Sequence, residues 1–308
     1  MQGEYTIDSL EALMGEFDIF FLSRFYHNHT SVQEFIAYAD EHGAQVVFDT
    51  DDDLTGEFRT EYIGDPAAFL HVIKNMRHVT VSTPYLAKRL EKHVGFRPTV
   101  LENHVDVSGF AEASMQAPCL DNGRVKIGFI GTATHYEDWK FPMDALARLA
   151  VEYEDQVRIV TAGYKPDYFD DLPNTVHLPG TDIFHYPSLV RQFDIICCSL
   201  DDQDKFNWSK SPIKALEAMA AARRVNGGIG GAVPVCTDMP VYRAAVIDGA
   251  NGILTNNDNW YAPLRALVEN ASLRNRLAIR GHQWVKKNRD MQRGCIRWQQ
   301  YFREVAHG

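Results

Sequence analysis

Cysteine and long apolar runs are scarce in this sequence. Its 308 residues include five cysteines, and no two of them have the Cys-x-x-Cys spacing that is typical of zinc sites and redox centres. No apolar run approaches the roughly 20 residues that span a bilayer. The first residues lack the basic-then-apolar order of a secretory signal. We therefore expect no structural zinc and no transmembrane segment, and a location in the cytoplasm or peripheral to the inner membrane face.

Positive charge is in short supply as well. The formal net charge of −10 opposes broad electrostatic binding to nucleic acid or anionic lipid. Apolar residues make up 45% of the chain and charged residues 23%, as expected for a globular protein with room for two cores. Basic residues are frequent only near the C-terminal end, and we interpret them as a solvated helix face, with a basic groove as the alternative. These residues are Arg274, Arg276, Arg280, Lys286, Lys287, Arg289, Arg293 and Arg297.

The sequence does have a regular alternation of short apolar runs with segments of helical periodicity. Such alternation predicts an α/β fold in which helices cover both faces of parallel sheets. We predict strands at 17–22, 46–49, 79–82, 99–101, 126–130, 157–161, 175–178, 195–200, 233–236 and 251–254. We predict helices at 9–16, 31–42, 66–76, 84–93, 142–154, 260–270, 272–288 and 291–305.

The alternation is interrupted once, over residues 108–123. Turn residues such as Ser108-Gly109 predict an aperiodic interdomain linker there. The predicted domains are then 1–107 and 124–290, both Rossmann-like, with a C-terminal helix at 291–308 packing back on the first. Two such domains facing each other form a cleft at the carboxyl ends of their strands, where ligands bind in open α/β sheets.

The most informative motif is Ser209-Lys210-Ser211-Pro212-Ile213-Lys214-Ala215-Leu216-Glu217, which follows the predicted strand at 195–200. Ser211 followed by Pro212 predicts a helix start with the hydroxyl as its cap. A helix N-terminus beyond a parallel strand attracts anions, and the two lysines of the motif add positive charge. Glu217 lies about 9 Å further along the helix axis, which matches the separation of diphosphate and ribose in a nucleotide. An ordinary, well-capped amphipathic helix is the alternative.

Further segments accompany this motif in a characteristic order. They are Val81-Ser82-Thr83-Pro84-Tyr85-Leu86, Asn103-His104-Val105-Asp106, Ile127-Gly128-Phe129-Ile130-Gly131-Thr132, Pro240-Val241-Tyr242, Asp248-Gly249-Ala250-Asn251-Gly252, and Trp260 with Leu273-Arg274. With them the chain resembles, over nearly its whole length, the retaining nucleotide-sugar glycosyltransferases of the glycosyltransferase-B fold. The resemblance is to the family-4-like group, and within it to a subgroup with Asp-Asp-Asp-Leu and Ser-Pro-x-Lys-x-x-Glu motifs.

The resemblance implies an enzyme that moves a hexosyl or pentosyl group from a UDP- or GDP-linked sugar to an acceptor hydroxyl, with retention at the anomeric carbon. It implies that Glu217 holds the ribose, that the helix start at Pro212-Ile213 receives the diphosphate, and that backbone approaches the phosphates at Gly131-Thr132. Lys214 either pairs with the phosphates or faces solvent. No cofactor or bound metal is expected, because helix amides and lysine would stabilise the leaving group. The donor-binding set is Gly131, Thr132, Lys210, Ser211, Pro212, Ile213, Lys214 and Glu217.

The chain departs from the family pattern at three places. Many relatives carry a second Glu eight positions before the ribose carboxylate, where this chain has Ser209, and this leaves the donor sugar open. The usual basic pair after the first strand of the second domain is not obvious, with Lys140 or His135 as the candidates. A short helix replaces the usual opening strand and glycine-rich loop, so the acceptor-side domain is predicted to be abridged.

Four aspartates cluster at the end of the predicted strand at 46–49, and we name them the acidic cluster: Asp49, Asp51, Asp52 and Asp53. Three interpretations stay open. The cluster is a solvated turn with an aspartate cap, or the Asp-x-Asp motif with which the other glycosyltransferase fold holds Mn²⁺ or Mg²⁺. The third fits the resemblance: Asp51 and Asp52 at the cleft edge orient the acceptor hydroxyl or support charge on an oxocarbenium-like sugar.

Arg24, His27 and His29 follow the predicted strand at 17–22, and His104 is a similar candidate further along the chain. At the acceptor side we predict the catalytic residues Asp51, Asp52 and His27 and the acceptor-binding residues Arg24, His29 and His104. The resemblance favours a glycan or a lipid-linked saccharide as acceptor, or else a hydroxymethylated base in viral DNA. Two rival functions stay open, a non-catalytic nucleotide-sugar-binding protein of the same fold and a nucleotide-sugar epimerase.

Overall fold

A computed structural model describes residues 16–23, 29–57, 65–116, 120 and 123–307. The chain divides into two compact units. Unit 1 contains the chain up to Glu102, the short stretch Ser209–Ser211 and the C-terminal residues from Gly294. Unit 2 contains Asn103–Trp208 and Pro212–Arg293. The helix predicted at 9–16 lies outside the described residues, apart from its last position.

Unit 1 is built on a four-stranded parallel sheet in the order β1-β2-β3-β4. Two of its helices begin where the sequence pairs a capping side chain with a proline. The carboxylate of Asp65 accepts hydrogen bonds from two amides of the first turn of α2, and the Thr83 hydroxyl accepts from Leu86 N in α3. The elements are β1 (Ile19–Ser23), α1 (His29–Glu41), β2 (Gln45–Thr50), α2 (Pro66–Lys74), β3 (His78–Val81), α3 (Pro84–Val94) and β4 (Thr99–Val100).

Unit 2 is built on a six-stranded parallel sheet in the order β12-β11-β8-β5-β6-β7, with a separate antiparallel hairpin of β9 and β10. The elements up to β8 are α4 (Val107–Gln116), β5 (Val125–Gly131), α5 (Met143–Glu152), β6 (Val157–Gly163), β7 (Thr175–Pro179), α6 (Tyr186–Val190) and β8 (Ile195–Cys198). Those that follow are α7 (Ile213–Ala220), β9 (Arg223–Val225), β10 (Gly228–Gly230), β11 (Val233–Thr237), α8 (Pro240–Arg243), β12 (Ile253–Thr255), α9 (Tyr261–Glu269), α10 (Ala271–Asn288) and α11 (Met291–His307), whose residues from Gly294 belong to unit 1.

Both faces of the six-stranded sheet are covered, because successive side chains of a strand point to opposite sides. In β8, Ile195 and Cys197 lie in one buried core, while Ile196 and Cys198 lie in the other. The first core contains side chains of α5 and α9, and the second contains those of α7. The prediction of parallel sheets with helices on both faces is therefore confirmed in this unit.

The C-terminal part of α11 packs within unit 1. Tyr301 and Val305 are buried against Val47 and Leu101 in a small core, with Trp298 packed at its border. The aromatic side chains bury much apolar surface, and this burial stabilises the packing of an amphipathic helix on a sheet.

The segment interpreted as an aperiodic linker is in fact helical over Val107–Gln116, so the interpretation of Ser108-Gly109 as a turn is wrong. The Asp106 carboxylate accepts a hydrogen bond from Gly109 N, which caps the helix start and uses the serine and glycine as first-turn residues. Phe110 then packs edge-on against Tyr186, with ring centroids 6.2 Å apart. The cap and this packing outweigh the turn propensity of the two residues.

The four described cysteines occupy different environments. Cys197, Cys198 and Cys236 are buried in the strands β8 and β11, and Cys295 is exposed on α11. Burial raises the pKa of the Cys197 and Cys236 thiols. Of the helices within the described ranges, none is long and apolar enough to cross a bilayer.

Candidate functional site

The carboxyl end of β5 forms the centre of the candidate site in unit 2. The strand ends at Gly131, where the ammonium of Lys214 reaches the backbone from α7 and donates to the Ile130 carbonyl oxygen at 3.3 Å. A Cβ atom on Gly131 would lie 2.7 Å from Lys214 Nζ and 3.3 Å from Trp139 Cζ2. The glycine therefore makes room for the ammonium. The Lys214 ammonium is thus held at the end of β5.

Glu217 lies one turn beyond Lys214 on the same face of α7, because residues three apart in a helix are neighbours. Its Oε2 accepts a hydrogen bond from the Tyr186 hydroxyl at 2.8 Å. Its Oε1 accepts no hydrogen bond from the described residues. Burial raises the pKa of Glu217, although the Tyr186 hydrogen bond and the positive charge of Lys214 oppose the rise. The half-buried carboxylate thus keeps one oxygen for an incoming hydroxyl donor.

The first turn of α7 differs from the sequence prediction. The helix begins at Ile213, and Pro212 rather than Ser211 occupies the N-cap position. Proline has no side-chain oxygen, so the cap residue itself satisfies none of the first-turn amides. The Ser211 cap is therefore wrong, because the chain enters the helix one residue later than the serine–proline pair suggested.

A second glycine borders the site from β6. Gly163 pairs with Gly131 across the sheet and has a φ of +85°. A Cβ atom there would meet the Gly131 carbonyl oxygen well inside van der Waals contact. That oxygen accepts a hydrogen bond from Tyr164 N at 2.9 Å, which ties the two strand ends together. Sequence reasoning missed Gly163 and Tyr186, since both reach the site only through strand pairing and tertiary packing.

The short turns after β5 carry a histidine–aspartate pair, His135 and Asp138. His135 Nδ1 donates to Asp138 Oδ2 at 2.9 Å. Asp138 is buried, with 1% of its side chain exposed, and its Oδ1 accepts from Asp201 N at 2.9 Å and from Asn207 Nδ2 at 3.2 Å. A buried carboxylate is stable only with such donors. Sequence reasoning missed Asp138, and the His-x-x-Asp spacing, which places the two side chains one helical turn apart, is the signal that could have found it.

The other residues of the β5 turn lie further out. Lys140, the alternative to His135 as a basic candidate, is exposed and donates to both carboxylate oxygens of Glu137 at 3.0 Å. Thr132 is exposed, and its hydroxyl lies 2.8 Å from that of Thr134. Of the two basic candidates, His135 is the one placed beside Gly131, with its Cδ2 3.7 Å from the Cβ position of that glycine.

The acidic cluster belongs to unit 1, where its members have different surroundings. Asp49 accepts from the Thr80 hydroxyl at 2.6 Å. Asp53 is almost fully buried and accepts from Thr55 and from Arg89 Nε, the latter at 3.0 Å. These two carboxylates brace the loop. The side chains of Asp51 and Asp52 are half-buried. Among the described residues, no three His, Cys, Asp or Glu side chains group in a way that could hold a metal ion.

The remaining predicted residues are spread over the chain. Lys210 and Ser211 fall in unit 1 together with Ser209, whose carbonyl oxygen accepts from the Thr83 hydroxyl at 3.0 Å. His104 falls in unit 2, next to the bridge that pairs Val105 with Asp290. Two predicted positions, Arg24 and His27, lie outside the described residues, and of His29 only the backbone, the first residue of α1, is described.

No family model and no curated protein sequence matches the chain. Solved structures do match. Sucrose-phosphate synthase from Thermosynechococcus elongatus aligns with 97% of this chain and 76% of its own, at 12% identity and a TM-score of 0.70. Anabaena Alr3699/HepE, solved in complex with UDP and glucose, aligns over 96% and 82%, at 13% identity and a TM-score of 0.66.

A third match is a UDP-forming α,α-trehalose-phosphate synthase from Burkholderia xenovorans, which aligns over 98% of this chain and 76% of its own. Its identity is 12% and its TM-score 0.68. At such identities the similarity is one of fold. The chain therefore has the glycosyltransferase-B fold that its sequence predicted.

Proposed function

We propose that this protein is a glycosyltransferase that uses a nucleoside diphosphate sugar, linked to UDP or GDP, and transfers the sugar to an acceptor hydroxyl. The observation that carries the proposal is the pairing of Lys214 and Glu217 on one face of α7. The ammonium is held at the end of β5, and the carboxylate one turn further along the helix has an oxygen available to a hydroxyl donor. A cation followed by a carboxylate at this spacing suits a diphosphate followed by a ribose.

In the proposed complex the diphosphate lies against the start of α7 and the Gly131-Thr132 turn, where backbone can approach it closely. Lys214 and the positive end of the α7 dipole then offset its charge. Lys210, Ser211, Pro212 and Ile213 complete the donor-binding set. Glu217 Oε1 accepts from the ribose hydroxyls, while Tyr186 keeps the carboxylate in place through Oε2.

The transfer breaks the bond between the anomeric carbon and the distal phosphate oxygen, and the electron pair stays on that oxygen. The acceptor oxygen bonds to the same carbon and releases its proton to solvent. We propose retention of anomeric configuration and no metal, with Lys214 and helix amides stabilising the leaving diphosphate. Asp51, Asp52 and His27 are proposed as the catalytic residues that orient the acceptor or support the cationic sugar.

Arg24, His29 and His104 are proposed to contact the acceptor, which we take to be a glycan, a lipid-linked saccharide or a hydroxymethylated DNA base. A cytoplasmic location is proposed as well. Its support is the scarcity of cysteine and the burial of three of the four described thiols, a pattern typical of proteins that keep their cysteines reduced.

The proposal is tested first by calorimetric titration with UDP and GDP, and then by donor turnover with and without a mixed acceptor pool. Binding together with turnover that needs the acceptor supports a transferase. Binding without turnover indicates a non-catalytic binding protein, and donor conversion without acceptor indicates an epimerase. Turnover that persists in excess EDTA supports metal independence, and the anomeric configuration of the product, read by NMR coupling constants, tests retention.

The variant Lys214→Met tests the contact with the phosphates, and Lys88→Met, at an exposed position on α3, is its control. Loss of a charge-assisted hydrogen bond to phosphate is expected to weaken UDP or GDP binding by about tenfold or more, since such bonds contribute about 1.5–3 kcal/mol. The control is expected to bind as the wild type does. Equal affinities of the two variants would contradict the donor site.

A further inference from the structure

His135 and Asp138 form a polar pair beside the proposed donor site that the assignment of Lys214 and Glu217 does not use. The chain leaves β5 at Gly131 and makes one short helical turn at Ala133–His135, which brings the imidazole back against the strand end. The ring atom near Gly131 is Cδ2, the atom bonded to Nε2. The edge of the ring that carries Nε2 is therefore the edge on the Gly131 side, where Lys214 also lies.

Asp138 fixes the other edge of the ring. Its Oδ2 accepts a hydrogen bond from Nδ1–H, and its Oδ1 accepts from Asp201 N and Asn207 Nδ2, so the carboxylate cannot rotate without losing three donors. A carboxylate in this position fixes the tautomer and orientation of the imidazole. The His135 side chain is 14% exposed, so it is anchored in the protein but still meets the surface.

Charged residues of three elements lie near the ring. Asp138 of the second short turn accepts from Nδ1, and Lys214 of α7 has its ammonium beside Gly131. The loop after β8 contributes Asp201, which is joined to Asp138 through its amide. A protonated imidazole presents Nε2–H as a donor, whereas a neutral one with Nδ1–H directed at Asp138 presents an acceptor at Nε2. Only the protonated ring can therefore donate to a phosphate.

We propose that His135, oriented by Asp138, donates a hydrogen bond from Nε2 to the distal phosphate of the bound nucleoside diphosphate. The inference rests on the proposed function. His135 is the phosphate-binding group and Asp138 is a positioning residue that acts through it. Lys214 of α7 approaches the same diphosphate beside Gly131.

The test compares UDP with UMP as calorimetric ligands of the full chain, because only UDP carries the distal phosphate. His135→Gln is expected to weaken UDP binding by about tenfold, the factor that corresponds to about 1.4 kcal/mol, and to change UMP binding by less than about twofold. His42→Gln, an exposed histidine at the end of α1, is the control. Unchanged UDP affinity in His135→Gln would overturn the inference.

The pH dependence provides a readout that a purely structural role would not move. Since only the protonated ring donates to phosphate, the preference of the wild type for UDP over UMP should fall as the pH rises and the imidazolium loses its proton. Titration of Glu217 changes the affinities for UDP and UMP alike, because both ligands carry the ribose, and its effect therefore cancels in the ratio of the two affinities. The preference of His135→Gln should be flat. A flat wild-type ratio overturns the inference even if the variants do not fold.

Asp138→Asn tests the positioning step. The amide oxygen stays with Asp201 N and Asn207 Nδ2, and the amide NH2 group then donates to His135 Nδ1, which favours the neutral ring with its proton on Nε2. That ring donates to phosphate without being protonated, so the fall of the UDP preference with pH should disappear in Asp138→Asn. In the His135→Gln background Asp138→Asn should change the preference little, and an equal effect in both backgrounds would contradict the coupling. Wild-type protein that binds neither UDP nor GDP refutes the proposed function, whereas UDP binding with a flat ratio refutes the role of His135 alone.

Discussion

Replacing Glu217 by Gln should weaken nucleotide binding and at the same time stabilise the folded protein. The free oxygen Oε1 of Glu217 is the proposed acceptor of the ribose hydroxyls. Hydrogen bonds to a charged group contribute about 1.5–3 kcal/mol and those between neutral groups about 0.5–1.5 kcal/mol. The expected loss is thus about 1–1.5 kcal/mol, or about tenfold in the dissociation constant of UDP.

The assay is a comparison of UDP with its 2′-deoxy analogue in the wild type, in Glu217→Gln and in the exposed control Glu91→Gln on α3. The wild type and the control should prefer the ribose form, and Glu217→Gln should lose most of that preference. If the ratio of affinities is the same in all three proteins, the assignment of the ribose to Glu217 is refuted.

The difference in stability between Glu217→Gln and the wild type should depend on pH. Burial raises the folded-state pKa of Glu217 above its ordinary value of about 4.3. The folded protein therefore binds more protons than the unfolded chain in that interval, and stability is lost as the pH rises from about 4.3 through the raised pKa. Glu217→Gln lacks this loss, so its unfolding midpoint should exceed that of the wild type at pH 8 and match it near pH 4.

Three further variants test other contacts. Tyr186→Phe removes the hydrogen bond that favours the ionised form of the helix carboxylate, so the acid limit of UDP affinity should move to higher pH, as measured by titration across pH. Gly163→Ala should lower the free energy of unfolding in urea by at least about 1 kcal/mol more than Gly95→Ala, which has a similar φ but open space around it. Arg89→Met should cost about 3–5 kcal/mol, because the buried Asp53 carboxylate keeps its Thr55 donors but loses its cation. The exposed Lys92→Met should cost less than about 1 kcal/mol.

Much of the fold follows from periodicity in the sequence. The ten predicted strands all occur within the described residues, because buried parallel strands consist of continuous apolar runs. The hairpin of β9 and β10 was not predicted. Its strands are three residues long, and glycines at 227, 228 and 230 obscure any pattern. Local signals also failed at Val107–Gln116, where the Asp106 cap and the packing of Phe110 on Tyr186 accompany a helix.

The candidate site was only partly predictable. The α7 motif identified Lys214 and Glu217, because helix position and spacing are local properties. The contact of Lys214 with Ile130 joins residues 84 positions apart, and it depends on the adjacency of β5 and β8 in the sheet. Tyr186 reaches Glu217 from α6 in the same way. Such contacts are set by strand order, which a single sequence does not specify.

The buried thiols of unit 2 allow local opening of its sheet to be measured by alkylation. Cys197, Cys198 and Cys236 have no access to solvent while β8 and β11 are intact, and the raised pKa of two of them keeps the reactive thiolate scarce. Their alkylation rate therefore reports how often the centre of the six-stranded sheet opens. Cys295, on the outer surface of α11, reacts in the native state and offers a place for a fluorophore that leaves the sheet untouched.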